Sequence, residues 1–192
     1  MRNPIRFGLL ASALLTLTAC VEPPKREQAA SPVVIHQGQG AMNVSIPVFN
    51  PRQGVYSAGQ PAAQDWQVFA ASGITTVVNM RGPDELGGRD ERAEVNAAGM
   101  KYLELPIVDG SAINADNAAR LQQLLQDADG PVLLHCGSAN RAGGLLALMA
   151  ALNEGQAHAA ALEFGRKAGM KSTEAAVQAA LATHCNQAEQ RC

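Results

Sequence analysis

From about residue 43 onward, short apolar segments alternate with longer amphipathic ones, and this pattern predicts strands and helices in turn. The segment at 74–80 is rich in β-branched residues, and the segment at 131–135 is apolar without alternation, which is typical of a buried strand. The predicted strands are 55–59, 74–80, 101–107 and 131–135, and the predicted helices are 62–72, 91–99, 115–128, 142–154, 156–168 and 173–183.

This order of elements predicts an α/β fold in which a mostly parallel central sheet is flanked by helices. The strand at 131–135 is expected at the centre of that sheet, because it shows no polar face. Functional sites in such sheets form beyond the carboxyl ends of the strands. His135 and Cys136 lie at such an end, so they are the first candidates for a site.

The N-terminal segment follows a different pattern. Arg2 and Arg6 flank an apolar run at 7–19, which is shorter than the roughly 20 residues that a membrane-spanning helix needs. The run is typical of a signal peptide, and its end, Leu17 to Cys20, resembles the lipobox of bacterial lipoproteins. An ordinary secretory signal followed by an unrelated cysteine is the alternative.

The lipobox resemblance implies cleavage after residue 19 and lipidation of Cys20, so that the protein is anchored to a bacterial membrane and faces the periplasm. Residues 20–42, rich in Pro, Gln, Gly and charged residues, would form a flexible tether, and 43–192 would form the domain. Val21 stands where an aspartate often retains lipoproteins at the inner membrane, which favours the outer membrane.

Net charge and cysteine positions limit the possible partners and indicate one disulfide. The net charge of −2 and the lack of a basic cluster argue against nucleic-acid binding. Cys185 and Cys192 lie seven residues apart, and in an oxidising periplasm they are predicted to form a disulfide. Two free thiols are the alternative. Neither a CxxC pair nor an HExxH motif is present, and we predict neither a metal nor another cofactor.

The segment from Cys136 to Arg141 carries the candidate chemistry. It joins a predicted strand to a predicted helix, so its backbone N–H groups and the helix dipole are expected to favour an anion there. Arg141 adds a cation that can bind an oxyanion in a bidentate manner. The same surroundings favour the thiolate form of Cys136, which would be a nucleophile beside an oxyanion site.

His135, Cys136 and Arg141 resemble the phosphate-binding loop of cysteine-dependent phosphatases of the dual-specificity type. The segments YSAGQP, GITTVVNMRGPDE, AGMKYLELPI and PVLLHCGSANRAGGLLAL occur in the order typical of the bacterial beta-lactamase-hydrolase-like phosphatase group. The resemblance covers about 50–155. It implies a cysteine-phosphatase-like fold, a phosphocysteine intermediate on Cys136, a loop-orienting role for His135, and phosphate binding by Arg141. The other residues expected to contact substrate are Gly137, Ser138, Ala139, Asn140 and Ala142.

Such a phosphatase needs a general acid, which the resemblance implies is an aspartate on an earlier loop. Asp109, which follows a predicted strand, is the first candidate, and Asp116 is the second. An aspartate in an ordinary turn is the alternative for Asp109. Arg81 and Glu85 follow another strand on the same side of the sheet, where they could line the pocket or brace the loop by an ion pair. A solvated loop is the alternative for both.

The loop departs from the usual phosphatase pattern in two ways. Four residues, rather than five, separate Cys136 from Arg141, and Ala142 replaces the usual serine or threonine. The shorter loop also occurs in rhodaneses, so a sulfurtransferase carrying a persulfide on Cys136 is an alternative. A second alternative is a non-catalytic module that binds an oxyanion without turnover. We predict a phosphatase acting on a phosphorylated substrate in the cell envelope.

Overall fold

The computed structural model describes residues 42–189. Its strands are β1 (Val48–Arg52), β2 (Val55–Ala58), β3 (Thr76–Asn79), β4 (Lys101–Glu104) and β5 (Val132–His135). Its helices are α1 (Asp65–Ala71), α2 (Glu91–Ala97), α3 (Ala115–Gln126), α4 (Asn140–Leu152), α5 (His158–Lys167) and α6 (Glu174–Glu189). Two short 3-10 helices lie at Pro83–Glu85 and Gly110–Ala112.

The sheet has the order β1-β2-β5-β3-β4. The strands β2, β5, β3 and β4 pair in parallel, and β1 pairs with β2 in the antiparallel direction. The prediction of a mostly parallel α/β sheet with the strand at 131–135 in its centre is therefore confirmed. The central position of β5 places its carboxyl end between β2 and β3, in the middle of the sheet edge where sites form.

Strand β1 was not predicted from the sequence. It contains Pro51, follows Pro47, and is only partly buried over most of its length, so its sequence lacks the apolar run of a buried strand. A proline is tolerated there because β1 is an edge strand, where a missing N–H costs no ladder hydrogen bond. Strand β4 ends at Glu104, shorter than the predicted 101–107, and Pro106 lies just beyond it.

The core has two layers because successive strand residues point to opposite faces of the sheet. Leu133 packs with Trp66 and Phe69 on the face covered by α1 and α2. Leu134 packs on the other face, which is covered by α3 to α6. Helix α4 is buried along most of its length, as its nearly all-apolar sequence predicts.

Close packing around α4 depends on glycine. A Cβ atom at Gly143 would lie 2.8 Å from the backbone oxygen of Gly165, and one at Gly165 would lie 2.6 Å from the Cβ of Ala147. The first turn of α4 is therefore held against α5 and the segment after it. Between residues 42 and 189, none of the helices combines the length and the apolar character that crossing a membrane requires.

Candidate active site

The candidate site lies in the turn between β5 and α4. Cys136 follows the last residue of β5 and is 1% exposed, whereas Gly137 and Ser138 are exposed. Helix α4 begins at Asn140, so Arg141 lies in its first turn. The turn thus brings a thiol, an open backbone segment and a helix N-terminus together, which is an arrangement that favours an anion.

The turn has an unusual backbone at Ala139. Its φ of 66° makes it the one non-glycine residue with positive φ in the described part of the chain. This left-handed conformation costs an L-residue roughly 1–2 kcal/mol. The Ala139 methyl is fully buried, and a Cβ atom at Gly169 would approach it to 2.7 Å. The tertiary contacts around the turn therefore enforce its strained conformation.

Arg141 is oriented by two partners outside the turn. Its Nη1 and Nη2 each lie 2.6 Å from an oxygen of Glu85, and Nη1 also donates to the Ile107 carbonyl at 2.9 Å. The hydrogen bonds from Arg141 lower the pKa of Glu85 to about 2, so this carboxylate stays charged at neutral pH. The hydrogen bonds to Glu85 and the nearby Cys136 sulfur raise the pKa of Arg141.

Asn140 uses its side chain to bind the segment between α5 and α6. Its Oδ1 accepts hydrogen bonds from the Lys171 and Thr173 backbone nitrogens, at 2.7 and 3.2 Å, and its Nδ2 donates to Ser172 at 2.8 Å. The Thr173 hydroxyl donates to the Asn140 carbonyl at 2.8 Å. Asn140, expected to contact substrate, thus uses its carboxamide to fix the start of α4.

Ala142 packs away from the opening. It is fully buried in the core cluster on the α4 face of the sheet. Its side chain is therefore part of the core, unlike the exposed backbone at Gly137 and Ser138. The predicted substrate-contacting residues thus separate into an exposed pair, a buried pair (Ala139 and Ala142) and the partly exposed Asn140.

Asp109 lies on the loop after β4, whose Ile107 carbonyl is bound by Arg141. The carboxylate is exposed and accepts hydrogen bonds from the Ser111 backbone nitrogen at 2.8 Å and from its hydroxyl at 2.6 Å. These hydrogen bonds lower the pKa of Asp109, which favours the charged form. In this arrangement Asp109 caps the 3-10 turn at Gly110–Ala112, and an acid role requires that Ser111 release its carboxylate.

A cavity of about 450 Å³ opens beside this loop, between the 3-10 turn at 110–112, the start of α3, and α6. Asp116 and His184 are among its polar lining residues, and none of the residues of the turn at 136–141 lines it. The cavity is therefore distinct from the anion site. Asp116 itself lies in the first turn of α3, where a negative charge is favourable.

His135 and Arg81 lie beneath the turn, and both contact the buried carboxylate of Glu91. Sequence reasoning missed Glu91 because glutamate in a first helical turn needs no special explanation. Glu91 lies four residues before Val95, so the two share one face of α2, and this spacing could have indicated that Glu91 is buried. Sequence reasoning also missed Thr173, whose contact with Asn140 joins residues 33 positions apart.

The remaining predicted residues are not all within the described range. Cys185 is exposed on α6, and Cys192 lies outside the described residues, so their disulfide stays a prediction. Cys20, the signal peptide and the tether also lie outside it. In the described part of the chain, no three His, Cys, Asp or Glu side chains are grouped so that they could hold a metal ion.

Comparison with known proteins identifies related sequences and folds. Residues 53–153 match the profile of a family described as beta-lactamase hydrolase-like protein, phosphatase-like domain. A beta-lactamase hydrolase-like protein of Agrobacterium fabrum is 35% identical over 100 residues, which are 50% of this chain and 23% of that protein. This chain therefore spans about a quarter of the length of that relative.

Two solved structures have the same fold. Tk-PTP in its active form is 20% identical with a TM-score of 0.58, covering 68% of this chain and 92% of its own. A cysteine-to-serine variant of P. aeruginosa TpbA, in complex with phosphotyrosine, is 25% identical with a TM-score of 0.53, covering 68% of this chain and 78% of its own. The predicted cysteine-phosphatase-like fold is thus confirmed.

Proposed function

The chain belongs to the family of phosphatase-like domains of beta-lactamase hydrolase-like proteins, and from this membership we propose that it is a cysteine-dependent phosphatase that hydrolyses phosphoric monoesters. The observation that carries the proposal is the turn at 136–141. It holds a thiol at the end of the central strand, and it holds an arginine in the first turn of the following helix. Glu85 fixes that arginine by two hydrogen bonds.

In the proposed reaction, the Cys136 thiolate attacks phosphorus while the bond from phosphorus to the ester oxygen breaks. Arg141 and the N–H groups of the turn stabilise the charge on the phosphoryl oxygens. The leaving oxygen takes a proton from Asp109. Water then attacks the phosphocysteine, gives a proton back to Asp109, and releases phosphate as the sulfur–phosphorus bond breaks.

One observation favours a second candidate, an oxyanion-binding module without turnover. Asp109 is exposed, and its hydrogen bonds with Ser111 lower its pKa, which disfavours the protonated form that a general acid needs. A phosphatase would have to exchange the Ser111 contacts for contacts with substrate before the first step. The two candidates share the anion site and differ in the availability of this proton.

We further propose that the substrate lies in the bacterial envelope, because lipidation at Cys20 would hold the domain at a membrane facing the periplasm. Incorporation of labelled palmitate into the full chain, and its loss in a Cys20→Ser variant, is the expected result. A Cys185→Ser variant is the matched control and should keep the label. Label that persists in Cys20→Ser would contradict the anchor.

The function itself is tested with the full chain in detergent under reducing conditions. We expect phosphate release from a small aryl phosphate that disappears in Cys136→Ser and persists in Cys185→Ser. Sulfur transfer from thiosulfate to cyanide is measured in parallel. Thiocyanate formation without phosphate release would replace the proposal by a sulfurtransferase, and vanadate binding without either activity would favour the binding module.

A further inference from the structure

A buried carboxylate occupies the space beneath the catalytic turn. Glu91, the first residue of α2, is 2% exposed and accepts contacts on both oxygens. Burial raises the pKa of Glu91, but its contacts with His135, Gln60 and Arg81 outweigh burial, and its pKa lies below the ordinary value. The carboxylate is therefore charged at neutral pH, in a place where an unpaired charge would be strongly unfavourable.

One oxygen of Glu91 faces the residue before the nucleophile. Its Oε1 lies 2.9 Å from His135 Nε2 and accepts a longer hydrogen bond, 3.4 Å, from the Tyr102 hydroxyl. Burial lowers the pKa of His135, so the neutral ring is favoured, although Glu91 opposes this effect. Since a carboxylate only accepts hydrogen bonds, Glu91 favours the neutral form of the ring that carries its proton on Nε2.

The ring is otherwise enclosed. His135 is fully buried, and the Trp66 ring lies edge-on with a centroid distance of 5.7 Å. Neither ring nitrogen makes a hydrogen bond of good geometry within residues 42–189, and the short distance from Nε2 to Glu91 Oε1 is an electrostatic contact. The Glu91 carboxylate lies within hydrogen-bond distance of Nε2, so it favours one of the two neutral forms of the ring over the other.

The other oxygen of Glu91 leads to the catalytic arginine. Its Oε2 lies 2.7 Å from Arg81 Nη2, and the Arg81 side chain is almost fully buried. Through Nη1, Arg81 donates to the Glu85 carbonyl at 2.8 Å, and the Glu85 side chain in turn holds Arg141. The path from Glu91 to Arg141 thus consists of hydrogen bonds between charged groups and one backbone carbonyl.

We propose that Glu91 is a positioning residue for both catalytic groups, because its carboxylate fixes the ring form of His135 beside Cys136 and orients Arg141 through Arg81 and Glu85. This inference rests on the proposed function, in which Cys136 and Arg141 act on phosphate. It does not depend on the identity of the leaving group or of the general acid.

The first test needs no substitution at Glu91. In full-length protein labelled with ¹⁵N-histidine, long-range proton–nitrogen correlation spectra distinguish the two neutral forms of the ring and the charged form. The His135 signals are assigned by their loss in His135→Asn. We expect His135 to be neutral with its proton on Nε2 at pH 7. A ring with the proton on Nδ1, or a charged ring, would overturn the proposal.

The second test uses Glu91→Gln, with Glu154→Gln as the matched control. Glu154 also lies 2.7 Å from an arginine, Arg52, but beyond the far end of α4. The amide that Glu91→Gln introduces can donate where the carboxylate only accepted, so the proton of His135 should shift to Nδ1 in part or in whole. Misplacement of Arg141, together with the changed ring form of His135 beside Cys136, should lower kcat on an aryl phosphate on the order of 100-fold.

Inorganic vanadate binding, followed by Trp66 fluorescence, separates this proposal from the proposed function. If the unsubstituted chain binds vanadate but turns over no phosphate ester, the phosphatase proposal fails while the vanadate affinities still test Glu91. We expect weaker vanadate binding in Glu91→Gln and native binding in Glu154→Gln. A folded Glu91→Gln protein with native vanadate affinity and a native His135 spectrum would refute the positioning role. If that variant does not fold, the spectrum of the unsubstituted protein decides.

Discussion

The ion pair between Glu85 and Arg141 offers a sharp test of how the turn is braced, because its carboxylate is accessible and its removal should leave the core intact. Glu85→Gln removes the charge but keeps the size of the side chain. A pKa lowered from 4.5 to about 2 corresponds to about 3 kcal/mol of stabilisation of the charged form. The Glu85 side chain is 37% exposed, and solvent screening reduces this to about 1 kcal/mol.

We therefore expect Glu85→Gln to lower Tm by about 2–4 °C, a small change for a chain of this size. The folded-state pKa of Glu85 lies below its unfolded value, so the stabilisation is present above pH 4.5 and is lost as pH falls toward about 2. The Tm difference from the unsubstituted protein should thus stay constant between pH 8 and pH 5. Turnover should fall on the order of 10-fold, since Arg141 keeps its charge but loses its fixed direction.

Thermal melts at several pH values and initial rates on an aryl phosphate check these numbers, and Glu154→Gln again provides the matched control. A difference in Tm that disappears between pH 8 and pH 5 would show that another group dominates. A Glu85→Gln protein with unchanged turnover would refute the argument that this ion pair orients Arg141 for catalysis.

Three further predictions concern the surroundings of the turn. Thr173→Val removes the hydroxyl that bonds to Asn140 and should cost about 1 kcal/mol in thermal melts, whereas Thr173→Ser should not. Gly143→Ala places a methyl against the backbone of the segment after α5 and should cost about 3 kcal/mol, measured by urea unfolding. Ser111→Ala removes the hydroxyl that lowers the pKa of Asp109, so the alkaline limb of the kcat profile should move to higher pH; an unmoved limb would exclude Asp109 as the acid.

The fold could be predicted from the sequence because the buried strands and the helix α4 consist almost entirely of apolar residues, so their burial follows from their local composition. The order of elements then restricted the topology, since parallel strands need crossover helices. Strand β1 could not be predicted, because an edge strand needs neither a continuous apolar run nor an N–H group at every position. Its pairing with β2 depends on a partner, which no local pattern encodes.

The residues of the candidate site likewise include some that the local sequence predicts and others that it does not. Cys136 and Arg141 could be identified because they lie within one short segment, and the ends of that segment follow from the strand and helix patterns. The hydrogen bonding of Asp109 could not be predicted, because its contacts with Ser111 depend on the conformation of a loop. Glu91 and Thr173 could not be identified either, since they contact the site through residues that lie far from them in the chain.

This division bears on how an active phosphatase differs from a binding module with the same loop. Both need the thiol, the arginine and the open backbone, so the sequence of the turn cannot distinguish them. Turnover additionally requires that Arg141 point in a fixed direction, and Glu85 supplies that direction from a separate loop. The proposed mechanism also requires a proton donor, and it assigns this role to Asp109 once Ser111 has released the carboxylate. Under the proposed function, turnover by this chain therefore depends on residues outside the motif that identifies it.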